Sequence, residues 1–120
     1  MATLIDDRAA RLVLTAEDLL AGDGMTFDLV VPPAVLRPGG EAGDAPEAVV
    51  RLRPLTLGTF LQIMKAAKED SSLIPLLTIQ QAVVEPKLSL PQIGQMHLGL
   101  VNFLIENVRQ VSGLTEKKSP

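Results

Sequence analysis

The sequence predicts an α+β fold, mainly α, in which an N-terminal β-hairpin with a long Gly/Pro loop is followed by a three-helix C-terminal part. Residues 48–56 alternate with the period of a strand, and the apolar residues after Thr56 recur with the period of a helix. A chain of 120 residues has room for one core, so we expect a single domain over residues 1–120. We expect residues 1–56 to hold a short helix and the hairpin, residues 57–114 the helical part, and residues 115–120 a flexible tail.

The N-terminal half carries the signals of a short helix and a first strand. Residues 15–18 (TAED) have the form of a capping box, which predicts a brief helix over about residues 16–22. Residues 25–31 (MTFDLVV) are rich in β-branched side chains and precede two prolines, which is typical of a strand. Residues 37–48 are dense in Gly, Pro and acidic residues and predict the hairpin loop. This loop lacks the Lys-Ser/Thr pair and the helix start of a phosphate-binding loop.

The second predicted strand spans residues 48–56 (AVVRLRPLT). Its alternation predicts that Val50 and Leu52 face the core while Arg51 and Arg53 share the other face. Two interpretations of the arginine pair remain open: a solvated strand face, or an ion-pairing patch for an acidic partner.

Two helices are predicted after this strand. Thr56 can cap the first of them, and Ser71 or Ser72 can cap the second, with a proline tolerated in its first turn. The second helix is expected to end at residues 85–86 (EP). The apolar stripe of the first helix consists of Leu57, Phe60, Leu61 and Met64.

A third and longest helix is predicted from a capping box at residues 89–92 (SLPQ) to about Ser112. Gly113 can adopt the left-handed conformation that ends a helix, and Leu114 can fold back on the last turn in a Schellman motif. The stripe of this helix consists of Ile93, Met96, His97, Leu100, Val101, Leu104, Val108 and Val111, with Phe103 on its flank.

The second helix is apolar on nearly all of its faces. This pattern fits a central helix that the other elements surround, and it also fits an exposed face that meets another subunit. Homo-oligomerisation is therefore left open. The apolar residues in question are Leu73, Ile74, Leu76, Leu77, Ile79, Ala82, Val83 and Val84.

Composition excludes several classes of function. Aromatic residues make up 2% of the chain and the net charge is −3, so neither the stacking rings nor the basic surface of a nucleic-acid-binding protein is present. Cysteine is absent, which excludes disulfides and thiolate metal sites. The longest apolar stretch, residues 73–84, is too short and too polar to span a membrane. We expect a soluble cytoplasmic protein.

No set of residues predicts catalysis. His97 is the single histidine and lies on or beside the apolar stripe of the last helix, where a structural role is expected. The carboxylate pairs at residues 6–7, 17–18 and 69–70 lie next to chain or helix ends, where carboxylates cap helices or are solvated. We therefore expect no enzyme activity, no metal and no cofactor.

Four short motifs resemble a known family. Residues 51–57 (RLRPLTL), 83–86 (VVEP), 88–93 (LSLPQI) and 111–114 (VSGL) occur in an order that is similar to that of the small tail assembly chaperones of tailed phages and contractile-tail gene clusters. The resemblance covers roughly residues 48–114. It implies a non-enzymatic protein that binds the tape-measure protein and helps to recruit tube subunits, with most of the interaction surface in the helical part.

Two other functions remain open. The same gene neighbourhoods encode small structural subunits that stay in the finished tail or baseplate, and a hairpin can add a strand to a neighbour's sheet. A regulatory or immunity-type helical adaptor is a third possibility, for which no motif is present. The chaperone would act in the cytoplasm of a producing cell, whereas a subunit would enter the virion or injection particle. The predicted partner-binding residues are Leu73, Leu76, Leu77, Ile79, Leu100, Phe103 and Leu104.

Overall fold

The fold combines two small antiparallel sheets with helices, as the predicted mixture of helix and strand requires. The computed structural model describes residues 3–6, 11–39 and 47–114. Across these ranges the strands are β1 (Thr3–Asp6), β2 (Arg11–Val13), β3 (Phe27–Val30), β4 (Val49–Leu52) and β5 (Val83–Glu85). In the same ranges the helices are α1 (Ala16–Leu19), α2 (Pro33–Leu36), α3 (Leu57–Ala66), α4 (Leu73–Ala82), α5 (Leu90–Gly94) and α6 (Leu98–Val111).

One of the sheets has three strands in the order β3-β4-β5, and its central strand, β4, contributes to the core. The strands β3 and β4 pair antiparallel, with Leu29 opposite Val50, but the helix α2, which was not predicted, lies in the connection between them. Leu52 is fully buried, whereas its neighbours Arg51 and Arg53 are exposed. The predicted alternation of this strand is therefore confirmed. The predicted loop at residues 37–48 lies partly outside the described residues.

Ion pairs connect the three strands on the outer face of the sheet. The guanidinium group of Arg51 lies between two carboxylates of the neighbouring strands, 3.0 Å from Asp28 and 3.2 Å from Glu85. The hydrogen bond and the charge of Asp28 raise the pKa of Arg51, and Glu85 adds to the effect. Arg53 donates its Nε–H to the backbone carbonyl of Gln81 at 2.9 Å. Both side chains thus bind acceptors of their own chain, which does not favour the second interpretation of this pair, an ion-pairing patch for an acidic partner.

The helical part is more divided than the predicted three helices. The second predicted helix ends at Ala82, because the next three residues pair with β4 as β5. The third predicted helix is broken into α5 and α6, and His97 caps α6 by accepting the backbone N–H of Leu100 at Nδ1 over 3.1 Å. Glycines at positions 94 and 99 flank the break, and glycine weakens a helix interior.

Helix α4 is central among the helices, as its apolar residues on all faces predict. It packs against α3, α5 and α6. Two of its residues, Ile79 and Ala82, are completely buried. The core cluster consists of Leu52, Ile79, Ala82, Val83, Ile93, Leu104 and Val108.

Most of the predicted helix caps are confirmed, although α1 ends at Leu19, before the predicted residue 22. The capping boxes that begin at Thr15 and Ser89 are both formed, and the hydroxyl of Thr56 accepts the N–H of Thr59. Gly113 has φ +75°, and Leu114 donates its N–H to the carbonyl of Arg109, as in a Schellman motif. The exception is α4, whose N-cap Ser72 makes no side-chain capping bond and instead donates its hydroxyl to Asp70.

The N-terminal segment stands apart from this core. We call residues 11–25, which contain β2 and α1, the arm. Every residue of the arm is exposed except Thr15, which is partly buried. The pairing of β2 with β1 was not predicted. The predicted tail, residues 115–120, lies outside the described residues, and within the described ranges none of the helices has the length and apolar character that a membrane span requires.

A candidate docking groove

Helix α3 presents an apolar face to solvent. The apolar stripe of this helix does not coincide with its buried side, because the residue that α3 buries is Ile63, which is not part of the stripe. Leu57 is 73% exposed, Leu61 55% and Phe60 42%. A helix with apolar residues both on its buried side and on this face has more apolar surface than one core can cover. Exposed apolar residues that form a contiguous patch are typical of a binding surface.

This face borders a groove between α3, α4 and the C-terminal end of α6. The groove consists of two adjoining cavities of about 300 Å³ and about 210 Å³, which share three lining residues. The larger cavity is lined by Leu55, Phe60, Ile63, Met64, Ile74, Pro75, Thr78, Ile105, Arg109 and Leu114. The smaller one is lined by Leu55, Thr56, Leu57, Phe60, Ser112 and Leu114.

Hydrogen bonds hold the walls of the groove in place. The N–H of Leu55, in the segment that leads from β4 to α3, donates to the hydroxyl of Ser112 at 2.9 Å. The N–H of Leu114 donates to the carbonyl of Arg109 at 2.8 Å, which folds the Leu114 side chain back beside α6. The start of α3 is fixed by its Thr56 cap. The groove is thus a preformed feature that joins three parts of the chain.

The chemistry of the groove is that of a binding surface. Among the described residues, its lining has one charged side chain, that of Arg109, together with apolar side chains and three hydroxyl groups. None of the described lining residues is a carboxylate or an imidazole, so they provide no general acid or base and no metal-ligating set. Among the described residues, no group of three or more His, Cys, Asp or Glu side chains could hold a metal ion.

The predicted partner-binding residues lie elsewhere in the fold. Ile79 is fully buried and Leu104 is 2% exposed, so neither reaches the surface in this conformation. Leu76, Leu100 and Phe103 are partly buried and pack against the core. The remaining two, Leu73 and Leu77, are partly buried on α4.

None of these seven residues lines the groove, to which α4 contributes Ile74, Pro75 and Thr78 instead. The sequence identified the apolar stripe of α3 but did not indicate that Leu57 would be exposed on it. The available signal was the excess of apolar residues on α3, where Ile63 lies outside the predicted stripe and is also apolar.

The titratable residues singled out in the sequence have structural positions. His97 is the α6 cap, and its Nε2 is buried without a hydrogen-bond partner within the described residues. The pKa of Asp18 is lowered because the backbone and hydroxyl of Thr15 hydrogen bond to it. Donation from the hydroxyl and backbone of Ser72 likewise lowers the pKa of Asp70. These carboxylates bind to their own helix ends and turns and do not converge on a site.

Comparison with known proteins identifies no relative. No protein-family model, no curated protein and no solved structure shows a significant match to the chain.

Proposed function

We propose that this protein is a non-enzymatic protein-binding factor in the assembly of a phage or contractile tail, a chaperone for the tape-measure protein and the tube subunits. The exposed apolar groove beside α3 carries this proposal, because it is suited to hold an apolar side chain of a protein partner. The tail-assembly part of the proposal comes from the motif resemblance. Two of the resembling segments, residues 51–57 and 111–114, supply walls of the groove.

The groove is suited to an amphipathic helix. Recognition of this kind places apolar residues of one helix face into a hydrophobic groove, at spacings of three and four residues. A long helical tape-measure protein offers many such faces. The chaperone would cover them in the cytoplasm of the producing cell and would leave as the tail grows.

A permanent structural subunit of the tail or baseplate is the second candidate function. The position of β3 favours it, because this strand forms one edge of the three-stranded sheet. An edge strand can pair with a strand of a neighbouring subunit. In that case the protein would remain in the virion or injection particle.

The first experiment separates these two functions. The tagged protein is captured from cells that express its native gene cluster, and purified finished particles are examined by mass spectrometry. Capture of a long helical tape-measure protein, with this chain absent from the particles, supports the chaperone. Stoichiometric presence in finished particles would reject the chaperone and identify a structural subunit.

A matched pair of variants tests the groove itself. Leu57 is the first residue of α3 and is 73% exposed, and Leu98 is the first residue of α6 and is 77% exposed. An Asp is tolerated equally at both positions, since each lies at a helix N-terminus. We expect Leu57→Asp to abolish capture of the partner and Leu98→Asp to retain it. Equal capture by both variants would place the partner surface outside the groove.

A further inference from the structure

We propose that the arm of one copy of this protein docks in the α3 groove of a second copy. The inference goes beyond the proposed function and does not depend on it, since it concerns this chain alone. It rests on the presence, in one chain, of two surfaces whose apolar side chains are exposed and that match in chemistry. The first surface, on the arm, projects from the core, and the second surface, the groove beside α3, is concave.

The arm is the projecting surface. Leu19 is 70% exposed, Leu20 67% and Leu12 59%, although leucines in a domain of this size are normally covered. Leu19 is the last residue of α1 and Leu20 is its C-cap, and the capping box at the start of this helix orders the turn that presents the pair. The leucine pair does not occupy the groove of its own chain, because both leucines and the residues next to them in the sequence are exposed.

The groove has a size that fits single apolar side chains. Its cavities of about 210 Å³ and about 300 Å³ are at or below the lower limit for small-molecule sites. A dry apolar cavity of about 150 Å³ is already large enough to hold benzene. Each cavity therefore has room for a leucine side chain, and two adjoining cavities suit two neighbouring leucines.

The two surfaces also have opposite charge. The arm carries Glu17, Asp18 and Asp23 against one basic residue, Arg11. Among the described residues, the charged side chain that lines the groove is that of Arg109. Opposite charges around an apolar contact favour the arm over an uncharged or basic occupant.

This contact has a direct consequence for partner binding. A helix of another protein that enters the groove has to displace the arm of the second copy. Self-association would then keep the apolar groove covered until the partner arrives, which limits non-specific association of an exposed apolar surface.

Two variants that each remove one half of the contact provide the test. Leu19→Ser with Leu20→Ser removes the arm side, and Leu57→Ser with Leu114→Ser removes the groove side. All four leucines are at least half exposed, so both variants are expected to fold. The mass of each purified protein is measured over a wide range of concentration by size-exclusion chromatography with light scattering, and Leu98→Ser is the control.

We expect the wild-type protein and the control to associate with increasing concentration. Each double variant alone should associate at least about a hundredfold more weakly, because burial of two leucine side chains is lost. An equimolar mixture of the two variants should form a one-to-one complex, since the intact arm of one fits the intact groove of the other. A monomeric wild-type protein, a variant that still associates, or a mixture that stays monomeric would each overturn the proposal.

Discussion

The backbone N–H of Leu55 donates a hydrogen bond of 2.9 Å to the side-chain hydroxyl of Ser112, 57 residues later in the chain. This bond fastens the segment between β4 and α3 to the C-cap of α6. It satisfies a backbone donor that is partly shielded from water, and it lies in the wall of the groove. One serine thus connects the sheet, the start of α3 and the end of α6.

The first prediction concerns this hydrogen bond. Ser112→Ala leaves the amide of Leu55 without its partner, and an unsatisfied buried donor costs about 1–3 kcal/mol of stability. We expect a loss of unfolding free energy in that range, measured by urea denaturation. The control is Ser71→Ala, which changes an exposed serine and should stay within about 0.5 kcal/mol of the wild-type value. Equal losses for the two variants would show that the Ser112 bond does not contribute.

The features that the sequence predicted correctly are encoded locally. The caps at Thr15, Thr56 and Ser89 each depend on a side chain and a backbone group three residues apart. Gly113 is required because only glycine adopts φ +75° without strain. The inward-facing residues of β4 follow from its alternation. Such signals need no knowledge of the rest of the fold.

The features that the sequence did not predict depend on tertiary contacts. From the sequence alone, residues 83–85 fit the end of a helix as well as they fit a strand. They form β5 because the edge of β4 is available for pairing. The break before α6 depends on His97 acting as a cap, and histidine is not among the preferred capping residues. The exposure of Leu57 depends on which side of α3 meets α4, and that is a property of the packed core. The groove was missed for this last reason.

The second prediction compares two glycines. Ala at position 113 must adopt a left-handed backbone, which costs about 1–2 kcal/mol, so Gly113→Ala should lower the unfolding free energy by that amount. Gly94 lies in α5, where an added Cβ meets nothing within 4 Å. Gly94→Ala should therefore stabilise the protein by about 0.4–1 kcal/mol, because it restricts the unfolded chain. Both values are measured by denaturant unfolding. Effects of the same sign would show that the backbone at Gly113 is not held in the left-handed region.

The third prediction separates the core from the exposed leucines. Ile79 is fully buried in α4, so Ile79→Ala should cost about 2–5 kcal/mol, and Ile79→Val about 0.5–1.5 kcal/mol. Leu98→Ala, at a residue that is 77% exposed, should change the stability by less than about 0.5 kcal/mol. Thermal and denaturant unfolding give these differences. A small effect of Ile79→Ala would mean that this side chain is available to a partner, as the sequence predicted, and does not belong to the core.

The fourth prediction concerns the pH dependence of the turn between α3 and α4. The hydroxyl and the backbone N–H of Ser72 both donate to the carboxylate of Asp70, and these bonds lower its pKa below the ordinary value for an aspartate. A carboxyl whose pKa is lower in the folded state contributes stability that is fully present above its unfolded-state pKa. This contribution is lost as the pH falls through the folded-state pKa. The wild-type melting temperature should therefore fall more steeply below pH 3.8 than that of Asp70→Asn, whose amide oxygen still accepts a hydrogen bond but does not titrate.

Ser72→Ala removes the hydroxyl donor and should make the pH dependence shallower than in the wild type, while all other carboxyl groups remain common to the three proteins. A constant difference in melting temperature between the wild type and Asp70→Asn across this range would show that Asp70 does not couple folding to protonation.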